Sequence, residues 1–322
     1  MPTHYDIFNG DADGICALHQ LRLGEPKSEA QLITGVKRDI RLLASPHLEK
    51  CHNCTLTVLD VSLDSNRSDL ERLLSNDNRI RYIDHHSADP IPKHPLLTST
   101  INTSAEVCTS LLVNEILDGM FASWAVCGAF GDNLHSSADR LIRKYSTTDS
   151  DALKFREIGE LLNYNGYGSS LEDLHFDPAE LYRSVSHFED PLIFFHEAEE
   201  LSTLREGFKE DAERASSITE HPTKGKNRVF FFPDASWARR ISGNFSNKQA
   251  RSKPESAHAL ITHNPDGTLR ISVRAPLADR KNADVLCKQF PGGGGRAAAA
   301  GINSLPETEL DRFFQTFNKL YS

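Results

Sequence analysis

The first half of the chain alternates short apolar runs with amphipathic segments. The apolar runs THYDIF, QLITGV, LTVLDV and RIRYI predict strands, because they are short and rich in β-branched and aromatic residues. Between them, GICALHQLRLG, SDLERLL and SAEVCTSLLVNEIL carry apolar residues at helical spacing, and the last of these helices is expected to begin at Ser104. The segment WAVCGAFGD fits either a strand or a helix. This alternation predicts an α/β fold with a parallel sheet that is covered by helices on both faces.

The second half of the chain predicts a different arrangement. A charged, helical middle leads to the strand NRVFFFPD and to a β-hairpin that turns at Pro265-Asp266-Gly267. A helix over Asp284–Gln289 and a terminal helix from about Pro306 follow. Because 322 residues exceed most single cores, we expect two domains. We expect residues 1–190 to form the parallel-sheet domain with a helical subdomain. Residues 191–226 are expected to form a connecting helix and linker, and residues 227–322 a smaller C-terminal α/β domain.

Charge and composition narrow the classes of partner. The net charge of −9 argues against a long nucleic-acid groove, since such grooves are basic; a nucleotide substrate is therefore expected to be short. The sequence contains neither a run of eighteen apolar residues nor a signal-peptide pattern at its start, so we expect a cytoplasmic protein without a membrane partner. The six scattered cysteines are expected to be small buried apolar residues in a reducing compartment.

Acidic and imidazole side chains recur where the apolar segments end. Asp11 and Asp13 follow the first predicted strand, Asp60 closes a later one, Asp84-His85-His86 closes RIRYI, and Asp132 follows WAVCGAFG. Each alone is compatible with a helix cap, a turn or a surface pair. Together they predict convergence at the carboxyl edge of a parallel sheet, where ligands bind. Converging carboxylates repel one another unless cations are bound, and a mixed Asp/His set favours Mn²⁺ over Mg²⁺.

These segments carry a family resemblance. In order, FNGDADGICA, TVLDVS, YIDHHSA and AFGDN resemble the four motifs of the DHH phosphoesterase family, and GGGGRAAAAG resembles the glycine-rich signature of its accessory DHHA1 domain. The resemblance spans nearly the whole chain, and its arrangement and size are most similar to the nano-RNase and dinucleotide phosphodiesterase branch. It implies an N-terminal DHH domain, a C-terminal DHHA1 domain, and hydrolysis of phosphoesters with two divalent metal ions, Mn²⁺ in particular.

The resemblance also implies roles for individual residues. Asn9 and Asp11 would bind the first ion, Asp60 would bridge both ions, and the second ion would be bound by Asp13, His85 and Asp132. The family has a histidine where Asn9 stands, so we expect the first site to be weaker or more selective. His86 would act beside the phosphate, with Asp84 either orienting a histidine or serving a structural role.

The C-terminal domain would bind the substrate. The residues implied in this role are Arg274, Gly293, Gly294, Gly295 and Arg296, the last in place of a family histidine. The alanines after the glycines favour a helix, which predicts a loop-to-helix phosphate cradle. Three aromatic residues are candidates either for base stacking or for the core: Tyr167, Trp237 and Phe245.

The implied reaction is hydrolysis of dinucleotides or very short RNA, such as the linear products of cyclic dinucleotide breakdown, to nucleoside 5′-monophosphates by a metal-activated water. Two other reactions stay open: phosphatase action on a 3′,5′-bisphosphate nucleotide and opening of a cyclic dinucleotide. A third alternative is a non-catalytic nucleotide-binding protein, in view of the substitutions at Asn9 and Arg296. Homodimer formation is also open.

Overall fold

The computed structural model describes residues 3–223, 225–264 and 266–321. The chain divides into two compact units, Met1–Gly207 (unit 1) and Phe208–Ser322 (unit 2). No helix in the described ranges combines the length and the apolar character needed to cross a bilayer. The six cysteines are buried free thiols, as the sequence predicts.

Unit 1 contains a parallel sheet and most of the helices. Its strands are β1 (His4–Phe8), β2 (Gln31–Ile33), β3 (Thr55–Leu59), β4 (Arg79–Asp84) and β5 (Leu97–Ile101). Its helices are α1 (Ala12–Gly24), α2 (Arg67–Ser75), α3 (Thr109–Ile116), α4 (Ala122–Gly131), α5 (His135–Lys144), α6 (Asp149–Gly166), α7 (Pro178–Val185) and α8 (Pro191–Glu197). Helix α9 (Glu199–Ser216) contains residues of both units.

All strand pairs of the first sheet are parallel, and their order is β2-β1-β3-β4-β5. In the central register, Ile7 of β1 lies beside Ile33 of β2 and Val58 of β3. These side chains are buried, which explains the nearly continuous apolar runs in the sequence. The edge strand β5 has exposed or half-buried side chains, so its sequence carried no apolar signal. The predicted α/β class is confirmed.

The structure resolves the ambiguous segment WAVCGAFGD as helix α4. Asp132 therefore does not lie at the carboxyl end of a strand, because it is the C-cap of this helix. Glycines let α4 pack very closely against its neighbours. A Cβ on Gly131 would lie 2.3 Å from Cβ of Ala12, and a Cβ on Gly159 of α6 would lie 2.0 Å from the carbonyl oxygen of Cys127. This close packing places an apolar helix, rather than a sixth strand, next to α1.

Unit 2 contains a second, mixed sheet of six strands in the order β10-β11-β9-β8-β7-β6. The strands are β6 (Glu220–His221), β7 (Arg228–Phe232), β8 (His258–His263), β9 (Leu269–Arg274), β10 (Gly293–Gly295) and β11 (Ala299–Leu305). The helices are α10 (Ser236–Ser252), α11 (Ala283–Cys287) and α12 (Leu310–Leu320). Strands β8 and β9 form the predicted antiparallel hairpin, and Pro265 of its predicted turn lies outside the described residues.

One prediction for unit 2 is wrong. The segment after the glycines is not the start of a helix but strand β11, and it forms a hairpin with β10. Residues Ala299 to Ile302 also pair with β9 on the other side. Pairing on both edges outweighs the helix propensity of alanine, since propensity is weak compared with tertiary context. The predicted loop-to-helix phosphate cradle is therefore replaced by a glycine-rich β-hairpin.

Candidate metal centre

The acidic residues of unit 1 gather where the strand order of the sheet reverses. β1 has β2 on one side and β3 on the other, so the chain changes direction across the sheet between β1 and β3. Asp11 and Asp13 follow β1, and Asp60 follows β3. In open α/β sheets, the carboxyl ends of strands at such a switch point form the ligand-binding crevice. Here a cavity of about 100 Å³ is lined by side chains that include Asp11, Asp60 and His85.

The turn after β1 explains why two carboxylates lie so close together in the sequence. Asp11 is the N-cap of α1: its Oδ1 accepts hydrogen bonds from the backbone N–H of Asp13 at 3.0 Å and of Gly14 at 3.1 Å. A Cβ on Gly14 would lie 2.1 Å from the carbonyl oxygen of Asn9, so only glycine fits this turn. Asp11 therefore caps the helix through Oδ1 alone, which leaves its Oδ2 available for another partner.

Asp13 anchors a second helix. Its Oδ2 accepts from the N–H of Thr109 at 2.8 Å, and its Oδ1 accepts from the N–H of Ser110 at 2.8 Å and from the Ser110 hydroxyl at 2.5 Å. These donors form the first turn of α3, where a carboxylate is favoured by the helix dipole. The prediction that this helix begins at Ser104 is wrong. The helix begins at Thr109, where its first N–H groups donate to Asp13.

Three carboxylate oxygens surround the imidazole of His85. Its Nε2 lies 3.3 Å from Oδ1 of Asp60, 3.9 Å from Oδ2 of Asp13 and 4.0 Å from Oδ2 of Asp132. Its Nδ1 lies 2.9 Å from the carbonyl oxygen of Val107, which fixes the ring so that Nε2 faces the carboxylates. Two atoms that bind one ion at about 2.1 Å are at most about 4.2 Å apart, so all three distances fit a shared ion.

Two further observations fit a cation at this position. Oδ2 of Asp132 is buried and has no hydrogen-bond partner among the described residues. Burial, together with the neighbouring carboxylates of Asp13 and Asp11, raises the pKa of Asp60 well above its usual value. Both features are costly for an apo protein and are relieved by a bound cation. Each of the three carboxylates predicted for the second ion, those of Asp13, Asp60 and Asp132, therefore lies at a distance from Nε2 of His85 that one divalent metal ion can span.

His86 lies at the edge of this group and is held by Asp84. The Nδ1 of His86 is 2.7 Å from Oδ1 of Asp84 and 3.9 Å from Oδ1 of Asp60. Asp84 is fully buried, while the His86 side chain is about one third exposed, at 36%. Although burial opposes it, the hydrogen bond and the charge of Asp84 raise the pKa of His86. Asp84 thus lies within hydrogen-bond distance of His86, and the Asp60, His85 and His86 donor atoms all lie within 4.8 Å of one another.

Asn9 and Asp11, the residues predicted for the first ion, both contact Lys37. The ammonium of Lys37 forms an ion pair with Oδ2 of Asp11, donates to Oδ1 of Asn163 at 2.9 Å, and lies 3.9 Å from Oδ1 of Asp132. Burial opposes both charges, but the Lys37 ammonium lowers the pKa of Asp11, and Asp11 in turn raises the pKa of Lys37. The Asn9 amide donates to the Lys37 carbonyl oxygen at 3.3 Å. Both carboxylate oxygens of Asp11 are therefore engaged, one by the helix cap and one by Lys37, whereas Oδ1 of Asn9 is buried without a hydrogen-bond partner among the described residues.

Sequence reasoning missed Lys37. It lies four residues after β2, the strand next to β1, so strand order brings it to the same sheet edge as Asp11. The strand QLITGV was visible in the sequence, and a charged residue at its end is the signal that points to Lys37. The side chain also packs over Tyr167, with Nζ 5.4 Å from the ring centroid, so this candidate stacking residue lies beside the centre.

The predicted substrate-binding residues lie in unit 2, at one end of its sheet. Arg274 of β9 pairs with Ala299 of β11, and Ala299 exchanges backbone hydrogen bonds of 2.9 and 3.1 Å with Arg296. The guanidinium of Arg274 donates to Oδ1 of Asn247 at 3.0 Å. Gly293, Gly294 and Gly295 form β10, and a side chain on Gly294 would meet no atom within 4 Å. The two arginines are thus brought to one end of the sheet.

The two aromatic candidates of unit 2 pack against other aromatic rings. Phe245 is buried between Phe230 and Phe232, with ring centroids 5.1 and 4.8 Å away, so it is a core residue. Trp237 packs 5.7 Å from Phe232.

Solved structures with the same architecture decide the fold. A DHH domain from a protein described as a member of a family of ribosomal proteins matches 99% of this chain and 86% of its own, at 14% identity and a TM-score of 0.63. The chain has the fold of the DHH-domain proteins. A manganese-bound RecJ exonuclease has the same DHH fold at 15% identity, with 99% and 90% of the chains covered and a TM-score of 0.62.

A pGpG-specific phosphodiesterase from Vibrio cholerae, PggH, also shares the DHH fold. It is 10% identical, with 99% of this chain and 98% of PggH covered, and the TM-score is 0.50. No protein-family model and no curated protein sequence matches the chain. The DHH expectation drawn from the motifs is confirmed at the level of the fold.

Proposed function

We propose that the protein is a divalent-metal-dependent phosphodiesterase that hydrolyses dinucleotides or very short RNA to nucleoside 5′-monophosphates. The observation that carries the proposal is the convergence of Asp13, Asp60 and Asp132 on Nε2 of His85, at the switch point of a DHH fold. Hard oxygen donors with one imidazole suit Mn²⁺, which we propose as the native metal.

The bound ion would polarise a phosphoryl oxygen and lower the pKa of a water molecule. The chain itself supplies the orienting groups. His86 is partly exposed and lies 2.7 Å from Asp84, and it would donate a hydrogen bond to a non-bridging phosphate oxygen. In unit 2, Arg274 would bind phosphate oxygens through its bidentate guanidinium. Arg296 and the open backbone at Gly294 would contribute further contacts.

A short substrate is supported by charge and by one of the similar folds. A net charge of −9 provides little of the phosphate neutralisation that holds a long strand. PggH, which shares the fold over nearly the full length of both chains, is described as specific for the dinucleotide pGpG. We therefore propose that unit 1 performs the hydrolysis and that unit 2 binds the substrate, in a protein of the cytoplasm.

Product analysis tests this proposal. The purified protein is incubated with Mn²⁺ and, in separate reactions, a 5′-phosphorylated dinucleotide, a ladder of longer RNAs, a cyclic dinucleotide and adenosine 3′,5′-bisphosphate. We expect nucleoside 5′-monophosphates from the dinucleotide and the shortest RNAs. The Asp132→Asn variant should lose this activity, and Asp139→Asn, an exposed aspartate on α5, should keep it.

Each other outcome has a definite meaning. Turnover of the bisphosphate or of the cyclic dinucleotide alone would replace the proposed substrate and keep the metal-dependent reaction class. Binding of these nucleotides without any turnover would overturn the proposal in favour of a nucleotide-binding protein. Activity that persists in the Asp132→Asn variant would overturn the assignment of the metal centre.

A further inference from the structure

Lys37 brings a permanent positive charge into the carboxylate group of unit 1. Its ammonium pairs with Oδ2 of Asp11, the oxygen that the helix cap leaves available. It also donates to Oδ1 of Asn163 and lies 3.9 Å from Oδ1 of Asp132. The side chain is only 21% exposed, and the Tyr167 ring lies next to it. The ammonium is thus held in a fixed, mostly buried position by Asp11 and Asn163.

Asn9 and Asp11, the donors that the family resemblance assigned to a first metal ion, both contact this lysine. The Asn9 amide nitrogen donates to the Lys37 carbonyl oxygen, and the Asn9 Oδ1 is buried without a hydrogen-bond partner among the described residues. An amide is a weaker ligand than the imidazole it replaces. An ion bound through Asp11 would have to displace an ammonium from the same carboxylate oxygen and would then be repelled by it.

Lys37 contacts the other donor set at a single, more distant oxygen. Asp13, Asp60 and Asp132 surround His85 at distances that one ion can span, and Lys37 approaches only the Asp132 oxygen that does not face His85. The two predicted sites therefore differ in kind: the first holds an ammonium from the chain, and the second is a donor set for a metal ion.

We propose that Lys37 takes the place of the first metal ion, so that the protein binds one divalent cation per chain, at Asp13, Asp60, His85 and Asp132. The charge that a second ion would supply is then partly built into the polypeptide. If the proposed function holds, the Lys37 ammonium also contributes a donor for the phosphate of the substrate. The ion count itself does not depend on the substrate.

Metal stoichiometry tests the proposal without any activity measurement. Metal-free protein is titrated with Mn²⁺, bound ion is counted by equilibrium dialysis with elemental analysis, and electron paramagnetic resonance distinguishes an isolated Mn²⁺ from a spin-coupled pair. We expect one Mn²⁺ per wild-type chain with an uncoupled spectrum. The double variant Asn9→His with Lys37→Gln should bind two, with exchange coupling between them.

Matched variants make the result specific. Lys50→Gln removes an exposed lysine of unit 1 and should keep one ion, whereas Asp132→Asn should lose it. Circular dichroism of each variant verifies that it is folded, and Lys37→Gln alone provides a second, less perturbed test, since it should admit a second ion of low affinity. Two coupled ions in the wild type would overturn this inference and leave the proposed function standing. One ion in the folded double variant would overturn the role of Lys37, and no ion in the wild type would overturn both proposals.

Discussion

The burial of His19 makes the stability of unit 1 depend on pH. His19 lies on α1, the helix that begins at the Asp11 cap, and its side chain is 1% exposed. Its Nε2 is 2.8 Å from the carbonyl oxygen of Phe188, and its ring meets Trp124 edge-on at 4.7 Å. Burial lowers the pKa of His19 from 6.5 to about 4, because the charged imidazolium is disfavoured there.

The sign and size of the effect follow from proton linkage. Below pH 6.5 the unfolded chain binds a proton at this position that the folded chain does not, so stability falls as the pH decreases toward 4. The two pKa values differ by about 2.5, which corresponds to about 3.5 kcal/mol in total at about 1.4 kcal/mol per pKa unit. Of this, about 2 kcal/mol is lost between pH 7.5 and pH 5.

Urea unfolding followed by tryptophan fluorescence measures this loss. In a Trp237→Phe background, Trp124 reports on unit 1, and a chelator removes the contribution of metal binding. The His19→Gln variant cannot titrate in this range, and its amide can still donate to the Phe188 carbonyl. We expect the free energy of unfolding of the histidine protein, relative to this variant, to decrease by about 2 kcal/mol from pH 7.5 to pH 5. Parallel pH dependence of the two proteins would refute the reasoning.

Three further predictions concern catalysis and packing. His86→Gln should lower kcat by about 10²–10³-fold while the Mn²⁺ stoichiometry stays unchanged, and a loss of bound metal in dialysis would contradict a role toward phosphate. Arg22→Met leaves the buried Asp6 carboxylate without its bidentate partner, so the free energy of unfolding measured in urea should decrease by about 3–5 kcal/mol. The control Arg81→Met removes an exposed ion pair and should cost less than about 1 kcal/mol. Gly159→Ala forces a methyl group against a backbone carbonyl of α4 and should cost about 1–3 kcal/mol; a thermal unfolding midpoint equal to that of the wild type would be inconsistent with the close helix packing.

The parts of the fold that the sequence predicted are those with a strong local signal. β1, β3 and β4 were predictable because their side chains are buried on both faces and read as apolar runs. The alanine-rich strand β11 and the apolar helix α4 were not, because neighbouring strands and close glycine contacts decide their conformation. Such contacts join residues distant in the sequence.

The candidate site shows the same division. The carboxylates and His85 were predictable because each ends a strand or a distinct apolar segment, and the structure brings them together. The pairing of Lys37 with Asp11 was not, because it depends on β2 lying beside β1 and on a side chain that crosses from one strand end to the next. Strand order is a property of the assembled sheet, and no local pattern specifies it.

Two of the aspartates have structural tasks that would outlast catalysis. Asp11 caps α1, and Asp13 holds the first turn of α3, so their loss would damage folding whether or not the chain has the proposed activity. Selection for folding alone would retain them. Asp132, by contrast, has a buried oxygen without a hydrogen-bond partner among the described residues, so a lineage released from catalysis would gain stability by replacing it. If the proposed function holds, the residue at position 132 is therefore a better marker of activity among related sequences than the aspartate pair after β1.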